Sequence, residues 1–88
     1  MSYQVLFTAT ARRDMASIPP RIVPAIVEFI YGDLATQPHR VGKPLLRELI
    51  GTHGARRGSY RIVYRIEDHA ERVYILRVDH RSDVYRPR

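Results

Sequence analysis

Four arginines stand in the eleven residues "RRGSYRIVYRI", Arg56 to Ile66, interleaved with tyrosines and aliphatics. A guanidinium is a planar, permanently charged fork that grips phosphate in two-pronged fashion and stacks on bases, which an ammonium cannot match. The chemistry open to such a stretch is anion chemistry: holding a phosphodiester, or stabilising charge as it develops on one. From Arg40 to Ile66 the basic residues are Arg40, Lys43, Arg47, Arg56, Arg57, Arg61 and Arg65, against Glu48 alone; that excess is the whole net charge of +6. Fourteen of the fifteen basic residues are arginine, so the preference is for the forked group. A local block of positive charge is the footprint of a polyanion. The competing explanation, a solvated face in a chain whose codons favour arginine, accounts for the bias better than for its placement.

Other chemistries find little support. The absence of cysteine excludes a disulfide framework and any thiolate-bound zinc or iron–sulfur site. There is no phosphate-cradling P-loop, no Gly-rich dinucleotide fingerprint and no serine or cysteine nucleophile setting. His39 and His69 fall in expected turns without the partners a metal needs, and Lys43 and His53 read as loop residues, so neither metal nor cofactor is expected. A length of 88 residues implies one domain, residues 1–88. A hydrophobic content of 44% argues for a folded chain. The most apolar run, "IVPAIVEFIYG", carries Glu28 and is too short to span a bilayer, and the N-terminus lacks a signal-peptide core. A soluble cytoplasmic protein without membrane attachment is the expectation.

The elements that must position the arginines are read from hydrophobic spacing. "YQVLFT", residues 3–8, alternates with Val5 and Phe7 on one face and predicts a first strand. Thr8 or Thr10 can cap a helix whose Ala11, Met15 and Ile18 recur at helical spacing, ended by Pro19-Pro20. A second helix is predicted over about residues 20–36, with Ile22, Ile26, Phe29, Ile30 and Leu34 inward and an irregular start at Pro24. "QPHRVGKPLLRELIG" reads as a loop, then "GARRG", a Gly58-Ser59 turn and "YRIVYRIED" as a hairpin, and a turn at residues 67–69 leads to "RVYILRVDHR". The fold class expected is α+β: β-α-α-β-β-β, a small antiparallel or mixed sheet with two N-terminal helices on one face. Strict alternation puts Tyr60, Ile62, Tyr64 and Ile66 on one face of the hairpin strand, and Arg61, Val63 and Arg65 on the other. It groups Val73, Ile75, Arg77, Asp79 and Arg81 in the next strand, opposite Tyr74, Leu76 and Val78. With the helices over the oilier face, Arg61, Arg65, Arg77 and Arg81 are expected to converge on an open face as a phosphate-sized cleft.

Three stretches then resemble the RelE/ParE toxin superfamily: "GKPLLRELIG" at Gly42 to Gly51, "RRGSYRIVYRI" at Arg56 to Ile66, and "HRSDVY" at His80 to Tyr85. The resemblance covers nearly the whole chain in order and spacing. It implies the compact β-α-α-β-β-β toxin fold and a partner antitoxin, RelB-like in the RelE branch, giving a hetero-oligomer. In that branch it also implies cleavage of messenger RNA in the ribosomal A site without metal. The C-terminal "HRSDVY" favours this branch, because RelE-like toxins keep a basic residue and a tyrosine there. Carried over by position, Arg61 matches the family's "YR" arginine, Arg81 a basic position of the C-terminal segment and Tyr85 its tyrosine. Arg56 lies where the preceding strand carries Lys or Arg. The family's paired lysines in that strand are not both present, since Gly54 and Ala55 occupy the region, and Asp79 stands where some members have a basic residue.

Metal-free RNA cleavage needs a group to take the ribose 2′-OH proton, one to protonate the leaving 5′-oxygen, and cations to hold the phosphorane. Arg61 and Arg81 suit the last role. His80 and Tyr85 are the acid–base candidates, the tyrosine if surrounding arginines favour its phenolate. Arg56, Arg57, Arg65, Arg77 and Lys43 would bind the RNA. Two other functions stay open: a ParE-like inhibitor of DNA gyrase, and a catalytically weak RNA-binding relative. The blander alternatives are an Arg61–Asp79 pair across the sheet, an Arg81–Asp83 surface pair, and Tyr85 as packing.

Overall fold

The computed structural model of the chain describes residues 2–46 and 49–84. Gln4–Phe7 form β1, and Thr8 then caps α1, Ala9–Ala16, by accepting the Ala11 N–H. The second helix begins later than its apolar pattern suggests, with α2 at Val23–Phe29. Pro24 therefore sits in the first turn, where a missing N–H costs nothing, and the expected irregular start is the turn over residues 20–22, where the Ile22 N–H donates to the Pro19 carbonyl. The helix continues as a π-helical turn, Ile30–Leu34, with the Ala35 N–H reaching back to the Ile30 carbonyl. A short α3, Pro38–Val41, follows. The stretch read as loop contributes a two-residue strand β2, Lys43–Pro44, before β3, His53–Arg57. Then come β4, Tyr60–Glu67, β5, Arg72–His80, and a helical turn α4, Arg81–Val84.

The five strands form one mixed sheet in the order β1-β5-β4-β3-β2, with β1 parallel to β5 and the other pairs antiparallel. The β3–β4 hairpin turns at Gly58-Ser59 as the sequence predicts. Gly58 has φ +61°, the value the first loop residue of a type II′ turn requires. The helices cover one face. Ala11 and Ile18 from the first helical region and Ile26, Ile30 and Leu34 from the second pack on Ala55, Ile62, Tyr64, Val73, Ile75 and Val78. The Val78 N–H donates to Asp14 Oδ2 (3.0 Å), fixing α1 to the last part of β5.

Strict alternation fails in β5. Val63 pairs with Arg77 but Tyr64 pairs with Ile75, so Leu76 is the extra residue of a β-bulge. The bulge lets Val73 and Ile75 point into the core while Arg77 and Asp79 point away from it, correcting the face shared by Val73, Ile75, Arg77 and Asp79 in the sequence reading. Thr8 holds the bulge: its N–H donates to the Ile75 carbonyl and its hydroxyl to that of Leu76 (3.1 Å). Arg81 is not in the strand at all; β5 ends at His80.

Tyr64 is fully buried, and its hydroxyl donates to the Pro38 carbonyl at 2.6 Å. Burial pushes its pKa up to about 12. The folded state therefore keeps a proton that the unfolded chain releases near pH 10, and stability falls as pH climbs from about 10 to 12. The loss approaches about 1.4 kcal/mol per pH unit within that window. Tyr64→Phe is expected to flatten that limb of the pH–stability curve in chemical denaturation. At neutral pH it should cost about 1–3 kcal/mol, through a Pro38 carbonyl left without its donor.

Candidate nucleic-acid interface

Cross-strand pairing builds the cationic face row by row. Arg56 in β3 lies opposite Arg61 in β4, which lies opposite Asp79 in β5. The next row runs Lys43, Gly54, Val63, Arg77, and the one beyond pairs Arg65 with Tyr74. Paired residues share a face, so Lys43, Arg56, Arg61, Arg65 and Arg77 all project from the side away from the helices. The Arg65 guanidinium lies 5.0 Å from the centre of the Tyr74 ring, a cation–π contact. Arg61 and Arg77 both reach one carboxylate oxygen, Asp79 Oδ2, at 3.7 and 3.1 Å. Of the four arginines expected to converge, Arg61 and Arg77 meet at Asp79, while Arg65 shares their face and turns to Tyr74. The Arg61–Asp79 pair is present too, and Arg61 still shows 21% of its side chain to solvent.

Not every sequence candidate joins this face. Arg57 pairs with Tyr60 on the helix side of the sheet, beside a cavity of about 450 Å³ that Glu28, Phe29, Gly32, Asp33 and Arg56 also line. Its expected part in RNA binding is therefore not supported by placement. His80 also pairs with Tyr60, their rings edge to face at 5.2 Å, and so lies opposite Arg61 across the sheet. Its Nδ1 accepts the Ser82 N–H (3.2 Å) and sits 2.8 Å from the Ser82 hydroxyl, which holds the entry to α4. Arg81 opens α4, and its N–H donates to the Ser59 carbonyl (2.7 Å), setting it against the hairpin turn beside Arg61. Tyr85 and Arg47 lie outside the described residues.

A second polar cluster escaped the sequence reading. His39 and His53, assigned there to a turn and a loop, sit in α3 and β3, with their rings edge to face at 5.7 Å. His39 Nε2 lies 2.8 Å from Asp68 Oδ1, and the Tyr3 hydroxyl donates to the same oxygen. Those two hydrogen bonds hold the Asp68 carboxyl below the usual range, and the bond to Asp68 raises the Tyr3 phenol. Burial, then the neighbouring His39, pushes the His53 imidazole down, where it stacks on Tyr64. Sequence separations of 29 and 65 residues (39 to 68, 3 to 68) left no local signal of this cluster. Among the described residues no group of three or more His, Cys, Asp or Glu is placed to hold a metal ion.

Residues 5–85 match the family described as "ParE toxin of type II toxin-antitoxin system, parDE". The chain belongs to this toxin family. Its relatives include Toxin RelG of Mycobacterium tuberculosis, 63% identical over 98% of this chain and 99% of the relative. Toxin RelE of the same organism is 51% identical over 96% and 87%. The toxin–antitoxin complex RelBE2 of M. tuberculosis contains a chain that superposes with a TM-score of 0.88 at 61% identity, covering 94% of this chain and 95% of that one. The RelE–RelB complex of Pyrococcus horikoshii, at 22% identity and a TM-score of 0.72, shares the fold, covering 92% and 97% of the two chains. The α+β toxin fold is thus established, and the chain is a toxin of a type II toxin–antitoxin system. Among the described residues no helix is long and apolar enough to cross a membrane.

Proposed function

We propose that this toxin is a ribosome-dependent, metal-independent endoribonuclease that cuts messenger RNA in the A site, in the cytoplasm. The observation that carries the proposal is the cationic face away from the helices, where Arg61 and Arg77 bracket Asp79 beside Arg56 and Lys43. In the reaction the ribose 2′-oxygen attacks the adjacent phosphorus and the bond to the 5′-oxygen breaks, leaving a 2′,3′-cyclic phosphate and a 5′-hydroxyl. The 2′-OH proton leaves to a base and the 5′-oxygen gains one from an acid. Arg61 and Arg81, on neighbouring backbone, meet the charge on the phosphorane. Tyr85, four residues beyond Arg81, supplies acid–base chemistry. His80, on the far side of the sheet, acts by fixing α4 instead. Arg56, Arg65 and Lys43 hold flanking phosphates, and Arg77 binds the RNA beside Arg61.

A RelB-like antitoxin is the partner proposed, since the 61% identical relative was solved within a toxin–antitoxin complex. An acidic segment of that partner would neutralise the cationic face.

The ParE description of the family favours a second reading, inhibition of DNA gyrase. Ribosomes programmed with a defined message separate the two. The purified toxin should cut within the A-site codon and leave a 5′-hydroxyl end. An intact message, with gyrase supercoiling inhibited by the same preparation, would replace the nuclease by the gyrase poison.

A further inference from the structure

Asp79 is the buried charged residue of the described chain, with its side chain 1% exposed, yet it lies in the middle of the face that binds polyanions in the reading above. A carboxylate there opposes phosphate binding at long range and must serve some other end. It is not placed by a regular strand. The bulge at Leu76 is what turns Asp79 and Arg77 away from the core together, and bulges of this kind re-aim side chains. Two guanidiniums close on a single oxygen of it, while each side chain stays partly in solvent, Arg61 at 21% and Arg77 at 29% exposed.

We infer that Asp79 is a positioning residue that fixes Arg61 and Arg77 as a two-armed clamp for one phosphate, with Arg77 the second arm. The inference rests on the nuclease reading of this face. A long arginine side chain free on a strand has many rotamers, and holding it to a productive geometry in advance is what makes a cation effective on developing charge. Asp79 does this from below. The Nε atoms of both arginines are buried, with no hydrogen-bond partner among the described residues, so the stems are packed, and it is the terminal Nη2 of each that is turned to Asp79. The clamp sacrifices some long-range attraction for geometry.

Asp79→Asn separates the two contributions. It keeps the shape, removes one negative charge, and is expected to leave the affinity for a single-stranded RNA oligonucleotide unchanged or tighter. The single-turnover cleavage rate on saturating programmed ribosomes should nevertheless fall about 10²-fold, the scale of an ångström-sized misplacement. Wild-type cleavage by the variant would overturn the inference. So would parallel loss of rate and RNA affinity in a variant with unchanged thermal unfolding. If Asp79→Asn does not fold, Arg77→Gln carries the test: the clamp predicts a loss of at least 10-fold in rate, and an unchanged rate contradicts it. A wild-type protein that leaves the message whole overturns the nuclease reading itself.

Discussion

Replacing Arg61 with alanine is expected to lower single-turnover cleavage of ribosome-bound message by two to three powers of ten, and to abolish growth arrest. That scale is the usual loss when one preorganised donor is taken from developing charge. Arg61 has a stronger claim to the role than any other cation among the described residues. It lies on the central strand, near the hairpin turn, between Arg56 and Asp79, and it is anchored by Asp79 while part of its side chain stays in solvent. The same substitution should leave the fold intact, because the core lies on the other face. Asp79 keeps Arg77 at 3.1 Å as a counter-charge. Binding of a RelB-like antitoxin should change less than cleavage. Quenched-flow kinetics and a pull-down with antitoxin measure the two effects side by side.

Gly42→Ala is expected to be the most damaging alanine substitution among the described glycines. A Cβ at Gly42 would collide with the Tyr64 hydroxyl and stand 2.8 Å from the Gly54 carbonyl oxygen. Backbone conformation is no obstacle, since φ −127° suits any residue; the space is simply filled. One side of the clash is backbone, and the other is a buried phenol already pinned to Pro38. Neither can yield without moving α3 away from β3 and β4. Overpacking of this kind costs about 1–3 kcal/mol, or roughly 4–8 °C in melting temperature for each kcal/mol in a domain of this size. Differential scanning calorimetry reads the shift directly. Alanine at Gly32, where nothing lies within 4 Å of the added carbon, is the control.

Much of the fold was written locally. The alternation from Tyr60 to Ile66 and the Gly58-Ser59 turn define β4 and its hairpin, and they appear as expected. Thr8 caps α1 as its hydroxyl allows. What could not be read was non-local. The extra residue at Leu76 is set by pairing with β4 and by hydrogen bonds from Thr8, 68 residues away. Without the bulge, a period of two assigns Val73 and Arg77 to one face. The start of α2 at Val23, later than the predicted residue 20, depends on the 19–22 turn, where the Ile22 N–H donates to the Pro19 carbonyl. In the site, the arginines announced themselves by type and spacing. His80 and Arg57 did not reveal their side of the sheet, because only the strand register fixes it. Asp79 drew notice in the sequence as a departure from a basic position and as a possible partner of Arg61. Its burial beneath two guanidiniums required the sheet.

The most direct test of the central claim is to induce this chain alone in a bacterial host and map new messenger-RNA 5′ ends within minutes. Codon-phased cuts confined to translated regions, and absent with Arg61→Ala, are the predicted result. Growth arrest with transcripts intact and a DNA-damage response would contradict it, and would assign the toxin to gyrase.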